Sequence, residues 1–136
     1  MKTTLSIAAI VIAIIAALAI HRLRSIHKSE FSVCSSNAMH VDVACDSLMF
    51  DGADFSVGIM GAGGEGSIER IHNHKIPDSA VITFTPVVKE RNNPSYTVKV
   101  DTTSIPKDAN GKIIFTIIDE KTVTVKYEPY SKSDAP

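Results

Sequence analysis

Residues Leu5 to Ile20, "LSIAAIVIAIIAALAI", form sixteen consecutive residues with one hydroxyl and no charge. Apolar on every side, a helix made from this run needs lipid or a protein core around it. It would be roughly 24 Å long, a little short of the ~30 Å hydrocarbon core, a deficit that Thr3, Thr4 and snorkelling basic flanks can cover. A cleavable signal peptide is the competing reading, because "ALA" at Ala17 to Ala19 matches a signal-peptidase site. The "HRLRSIHK" that follows carries Arg22, Arg24 and Lys28, and positive charge just past a cleavage site hinders translocation. The sequence therefore predicts a short tail (1–4), a transmembrane anchor in the bilayer (5–20), a basic linker (21–30) and one domain (31–136).

The side of the membrane is argued from three features. Lys2 and the α-amino group stand before the run against three basic residues just after it, a count that taken alone would keep the domain in the cytoplasm. The four-residue tail and the cysteines point outward. Cys34 and Cys45, twelve residues apart counting both ends, are the only cysteines, and a disulfide between them would contribute about 3 kcal/mol to a small exported domain. Two buried free thiols are the alternative. Residues 29–136 hold ten basic and fifteen acidic side chains, a net charge of −5, which excludes nucleic acid as a direct partner because phosphate contacts need clustered Lys and Arg.

Past the linker the hydrophobic period becomes two. "MHVDVAC" sets Met39, Val41 and Val43 on one face, "DFSVGIM" alternates through Phe55 and Val57, and "SAVITFTPVV" sets Ile82 and Phe84 opposite Val81, Thr83 and Thr85. "PSYTVKV", "GKIIFTIID" and "EKTVTVKYEP" continue the pattern, rich in β-branched residues and bounded by turn formers. "DANGK" around Asn110 and Gly111 and "DE" at Asp119 and Glu120 read as hairpins, and "IPDSA" and "NNPS" as turns. The expected fold class is an N-terminal transmembrane helix followed by a mainly-β domain of seven or eight strands: an antiparallel sandwich or a small barrel, complete or incomplete.

"GIMGAGGEG" contains Gly61, Gly63 and Gly66 in G-x-G-x-x-G order, with Gly64 between them. Only about ten residues separate it from Pro77, too few for a crossover helix and return strand, so no dinucleotide site is expected. The glycines read as a flexible turn, a loose hairpin or bulge joining "DFSVGIM" to "SIERI". His72 and His74, two apart, share a face if extended and form a candidate proton-sensing pair; two solvated histidines are the plainer reading, and no third ligand is spaced for a metal. No G-x-S-x-G, H-E-x-x-H or S-x-x-K pattern occurs, so neither catalysis nor a cofactor is expected.

The layout of basic start, single anchor, "EFSVC" opening a β domain, the glycine turn leading to "EGSIERI" and the "VITFTPVVKERNNPSYTVKV" strand pair resembles the FidL-like bacterial membrane proteins. These are small envelope proteins associated with membrane-embedded regulators of the ToxR kind, for which ToxS-like subunits act as periplasmic partners. The glycine-rich turn and the tail "YEPYSKSDAP", which ends polar without an evident closing strand, depart from that pattern. The resemblance implies a bacterial inner-membrane location, a periplasmic β domain and a non-enzymatic role in binding and modulating a membrane-bound regulator. It also allows a small amphipathic ligand in a barrel shared with that regulator. A structural component of a pilus or secretion assembly is the rival class, although "MKTTLSIAAI" lacks the Gly before and the Glu within the apolar run that pilin processing needs.

Overall fold

The computed structural model describes residues 2–25, 29–72, 74–89 and 92–131. A single helix, α1 (Lys2–Ser25), precedes nine strands: β1 (Glu30–Asn37), β2 (Asp42–Phe50), β3 (Ala53–Asp54), β4 (Gly58–Met60), β5 (Glu65–His72), β6 (Ser79–Val87), β7 (Tyr96–Asp101), β8 (Asn110–Ile117) and β9 (Val123–Pro129). At 24 residues, α1 is about 36 Å long and extends past the apolar run at both ends, so residues 21–25 of the expected linker are helical. Residues 26–28 of that linker, and 132–136 of the tail, lie outside the described residues. Side chains in α1 are described for residues 9–20, and all of them are exposed. Among the described residues no helix is long and apolar enough to cross a membrane.

The strands form two sheets, ordered β5-β1-β8-β9 and β3-β2-β6-β7, with β4 also paired to β2. Alternation aims one row of each strand inward. Phe31 and Val33 from β1, Val43, Leu48 and Phe50 from β2, Ala80, Ile82 and Phe84 from β6 and Ile113, Phe115 and Ile117 from β8 are all at most 1% exposed. They form one core between the sheets. Phe50 is its hub, meeting Phe31, Phe115 and Phe55 edge-on at centroid distances of 5.6, 6.1 and 6.2 Å, the geometry that aromatic quadrupoles favour. The outward row of β6 mixes Ser79, Thr83 and Thr85 with Val81 and Val87. Thr83 Oγ1 lies 3.0 Å from Thr97 Oγ1, and Thr85 donates to Asp46 at 2.6 Å.

A mainly-β, two-sheet domain matches the expectation, but four details differ. The β1–β8 pair at the centre of the first sheet is parallel, so the domain is not wholly antiparallel. "DFSVGIM" is two short strands, β3 and β4, which share one edge of β2. Asn110 and Gly111 open β8 rather than forming a hairpin, because the chain crosses between sheets over residues 102–109, where Ile105 and Ala109 plug the sandwich end. The polar tail does contain a closing strand, since β9 runs through "VKYEP" to Pro129. The hairpin around Asp119 and Glu120 is present, joining β8 to β9.

Both chain crossings at the opposite end of the sandwich converge on one buried side chain. Asn37, fully buried, donates from Nδ2 to the carbonyls of Val41 at 2.8 Å, Gly61 at 3.0 Å and Met60 at 3.3 Å, and its Oδ1 accepts from Met39 N at 2.9 Å. This one residue satisfies main-chain groups in the β1–β2 and β4–β5 connections that strand pairing leaves unpaired.

Candidate functional site

The glycine turn links the two sheets along one side, where β4 and β5 are neighbours. Along the other side β7 and β9 are the facing edges, close to each other but with no ladder of hydrogen bonds between them. Their inward residues Tyr96 and Val98 on β7, and Val125 and Tyr127 on β9, pack against the core while remaining only half-buried. The result is an apolar seam flanked by two unpaired strand edges, a combination that invites an added strand. Tyr96 also packs on Phe84, with centroids 6.0 Å apart; desolvation, then the nearby Glu120, raises its pKa. Tyr127 is pinned by its hydroxyl, 3.0 Å from Asn110 N and 3.1 Å from Asn110 O. An open cleft lies at each end of β7, one lined by Met39, Asp119, Glu120, Lys121 and Thr122, the other by Asp78, Ser79, Lys99, Asp101 and Thr103. Neither cleft is an enclosed apolar chamber of the kind an amphipathic ligand would require.

The expected disulfide is absent: Cys34 and Cys45 are free, buried thiols. Cys34 lies on β1 and Cys45 on β2, in different sheets. Along β1 the residues facing the core are Phe31, Val33, Ser35 and Asn37, each fully buried, so alternation turns Cys34 to the outer face, toward Lys112, Glu65 and Glu128. It is Ser35 that faces Cys45. That hydroxyl is near enough to favour the Cys45 thiolate, yet it makes no hydrogen bond of proper geometry. Burial is the dominant influence on both thiols and raises both pKa values.

The glycine turn is not a hairpin, because β4 belongs to one sheet and β5 to the other. Gly64 N donates to Gly61 O at 2.8 Å, Gly63 adopts φ +69°, and Ala62 N donates to Asp42 Oδ1 at 3.2 Å. This is a tight corner between layers, with no helix and no ring of free N–H groups for a phosphate. At Gly66 an added Cβ would lie 2.7 Å from Val57 Cγ2, so close packing rather than backbone freedom explains that glycine.

The two histidines are not seen as a pair: His72 ends β5, and its side chain lies outside the described residues. His74 Nδ1 is 3.3 Å from Asp51 Oδ2, and its ring meets Phe55 edge-on at 5.7 Å. Asp51 also accepts from Lys75 N at 2.8 Å, while Ser29 Oγ donates to the His74 carbonyl. Among the described residues no group of three or more His, Cys, Asp or Glu could hold a metal.

Two structural signals in the sequence were missed. Asp51-Gly52, with φ of +51° and +73°, forms the two-residue turn between β2 and β3, the Asp-Gly signature of a type I′ hairpin. Asn37 lies in the turn-forming "SSNA", and its position between two crossings emerges only from the fold. The seam residues carry no local mark at all, since which strands end up as edges depends on sheet order.

No protein-family model and no curated protein matches the chain. Among solved structures, an NMR structure of a protein from Eubacterium rectale aligns over 77% of this chain and 94% of that one, with 10% identity and a TM-score of 0.44. A likeness that distant carries no functional argument.

Proposed function

We propose that the chain is a non-enzymatic, single-pass bacterial inner-membrane protein whose periplasmic β domain binds and modulates a membrane-bound partner, a ToxR-like transcriptional regulator. The half-buried apolar seam between β7 and β9 is the observation that carries this reading. A strand supplied by the partner would satisfy the unpaired main-chain groups and cover Tyr96, Val98, Val125 and Tyr127 together. Modulation then follows if only one state of the regulator presents that strand, because binding shifts an equilibrium by its difference in affinity for the two states.

The membrane part of the proposal rests on α1, whose side chains at 9–20 are apolar and all exposed. Lys2 and Arg22 bracket the run at either end. The domain charge of −5 supports the periplasmic side. The cysteines no longer bear on it, since burial shields both thiols from oxidants in any compartment.

The test is genetic and biochemical together. Val98→Lys places a charge in the seam and is expected to abolish co-purification with a neighbouring single-span, winged-helix regulator, and to shift transcription of its target as deletion does, while the protein stays at wild-type level in membranes. Undiminished co-purification with the regulator would refute the seam, and capture of pilus or secretion subunits instead would support the structural alternative.

A further inference from the structure

We infer that β7, rather than β9, is the edge that receives the partner strand, and that this strand reads basic, apolar, acidic, apolar, polar, apolar from its N-terminus. The inference rests on the seam reading above and adds its direction and chemistry. On β9 the exposed charges are already matched, Lys126 Nζ lying 2.8 Å from Glu128 Oε1, and the strand ends in Pro129, which has no N–H to offer. On β7 no proline interrupts residues 96–101, and Lys99 forms no ion pair with any described residue. Lys99 and Asp101 stand two apart on the exposed row, while Tyr96, Val98 and Val100 form the inward row.

A strand antiparallel to β7 repeats the pairing that β6 makes on the other side and uses the more stable ladder geometry. Its residues would then oppose Asp101, Val100, Lys99, Val98, Thr97 and Tyr96 in that order. A base opposite Asp101 and an acid opposite Lys99 make two favourable cross-strand pairs, with apolar residues between them over the seam. Reversing both charges turns each attraction into a repulsion. Asp101 already accepts from Thr103 N at 2.8 Å and Thr103 Oγ1 at 2.6 Å, so its carboxylate is fixed in place before any partner arrives.

The probe is a synthetic peptide, Lys-Val-Glu-Val-Thr-Val with Ser-Gly flanks, and its charge-swapped form, Glu-Val-Lys-Val-Thr-Val. Each is titrated against the isotope-labelled full chain in nanodiscs, with amide shifts and exchange as readouts. The first peptide is expected to perturb and protect the amides of β7 and to bind about tenfold tighter than the swapped one. Combining Lys99→Glu with Asp101→Lys should reverse that preference. Lys99→Glu alone, at an exposed position, should favour Lys-Val-Lys-Val-Thr-Val, which keeps the test decisive if Asp101→Lys disturbs the turn at Thr103. Equal affinity for both peptides at β7 would overturn the charge code. Perturbation of β9 or β5 instead would overturn the choice of edge while leaving strand capture standing, and no perturbation at any edge would overturn both.

Discussion

Replacing Asn37 should unpin the end of the sandwich where both sheets exchange chain. Its side chain makes three hydrogen bonds of 2.8 to 3.0 Å and a fourth at 3.3 Å, all to main-chain groups. Each such bond contributes about 0.5–1.5 kcal/mol net, so Asn37→Ala should cost about 2–6 kcal/mol, a large share of the ~5–15 kcal/mol typical of a domain. Asn37→Asp sharpens the test, because it keeps the shape but aims a carboxylate oxygen at three carbonyls. Burial without a counter-charge raises the pKa of such a carboxyl, so its penalty is greatest at neutral pH and shrinks as the group is protonated. Urea unfolding of the full chain in detergent, followed by far-UV circular dichroism because the chain has no Trp, should rank wild type above Ala above Asp at pH 7.5. The gap between the two variants should narrow toward pH 5. An Ala variant within 0.5 kcal/mol of wild type, or an Asp variant more stable than Ala at pH 7.5, would refute the staple.

Three further outcomes follow from the same geometry. Gly66→Ala should destabilise by about 1–3 kcal/mol through its clash with Val57, whose Cγ2 and Cβ would lie 2.7 and 2.8 Å from the added Cβ, and Val57→Gly should restore part of the loss; additive damage would show that the two side chains do not compete for space. Thiol labelling of the non-reduced, denatured protein should find two reactive cysteines, with slow labelling in the native state, whereas none after denaturation would restore the disulfide. Asp54, Asp101, Asp119 and Glu128 have pKa values held below the ordinary 3.8 and 4.5, chiefly by Leu48 N–H, the Thr103 hydroxyl, Lys121 N–H and Lys126 respectively. Depressed carboxylates stabilise above their unfolded pKa and lose that contribution as pH falls through the folded one, so an acid titration should find their share of stability intact above about pH 5 and declining below about pH 4; a share still intact at pH 2 would contradict it.

Strand identity was legible because it is written locally. The β6 run names its buried row, Ala80, Ile82 and Phe84, by alternation alone, and β7, β8 and β9 are equally plain. Register and connection were less so. In β2 the alternation skips at Asp46, where a bulge lets both Cys45 and Leu48 face inward, and without that partner strand the skip looks like noise. The disulfide expectation failed for a related reason: spacing fixes how far apart two cysteines can be, while the pleat decides which way each points, and Cys34 is one residue out of phase with Cys45. The parallel contact of β1 with β8 joins segments about eighty residues apart, and nothing local in either strand selects the other.

As proposed above, the β7/β9 seam is an occupied interface in the cell. A photo-reactive amino acid placed at Thr97 on β7 should, on illumination of intact cells, give one discrete adduct with a single-span regulator. The same residue at Thr116, on the outer face of the other sheet, should give none. Adducts of equal yield from both positions, or none from Thr97 at normal membrane abundance, would contradict it.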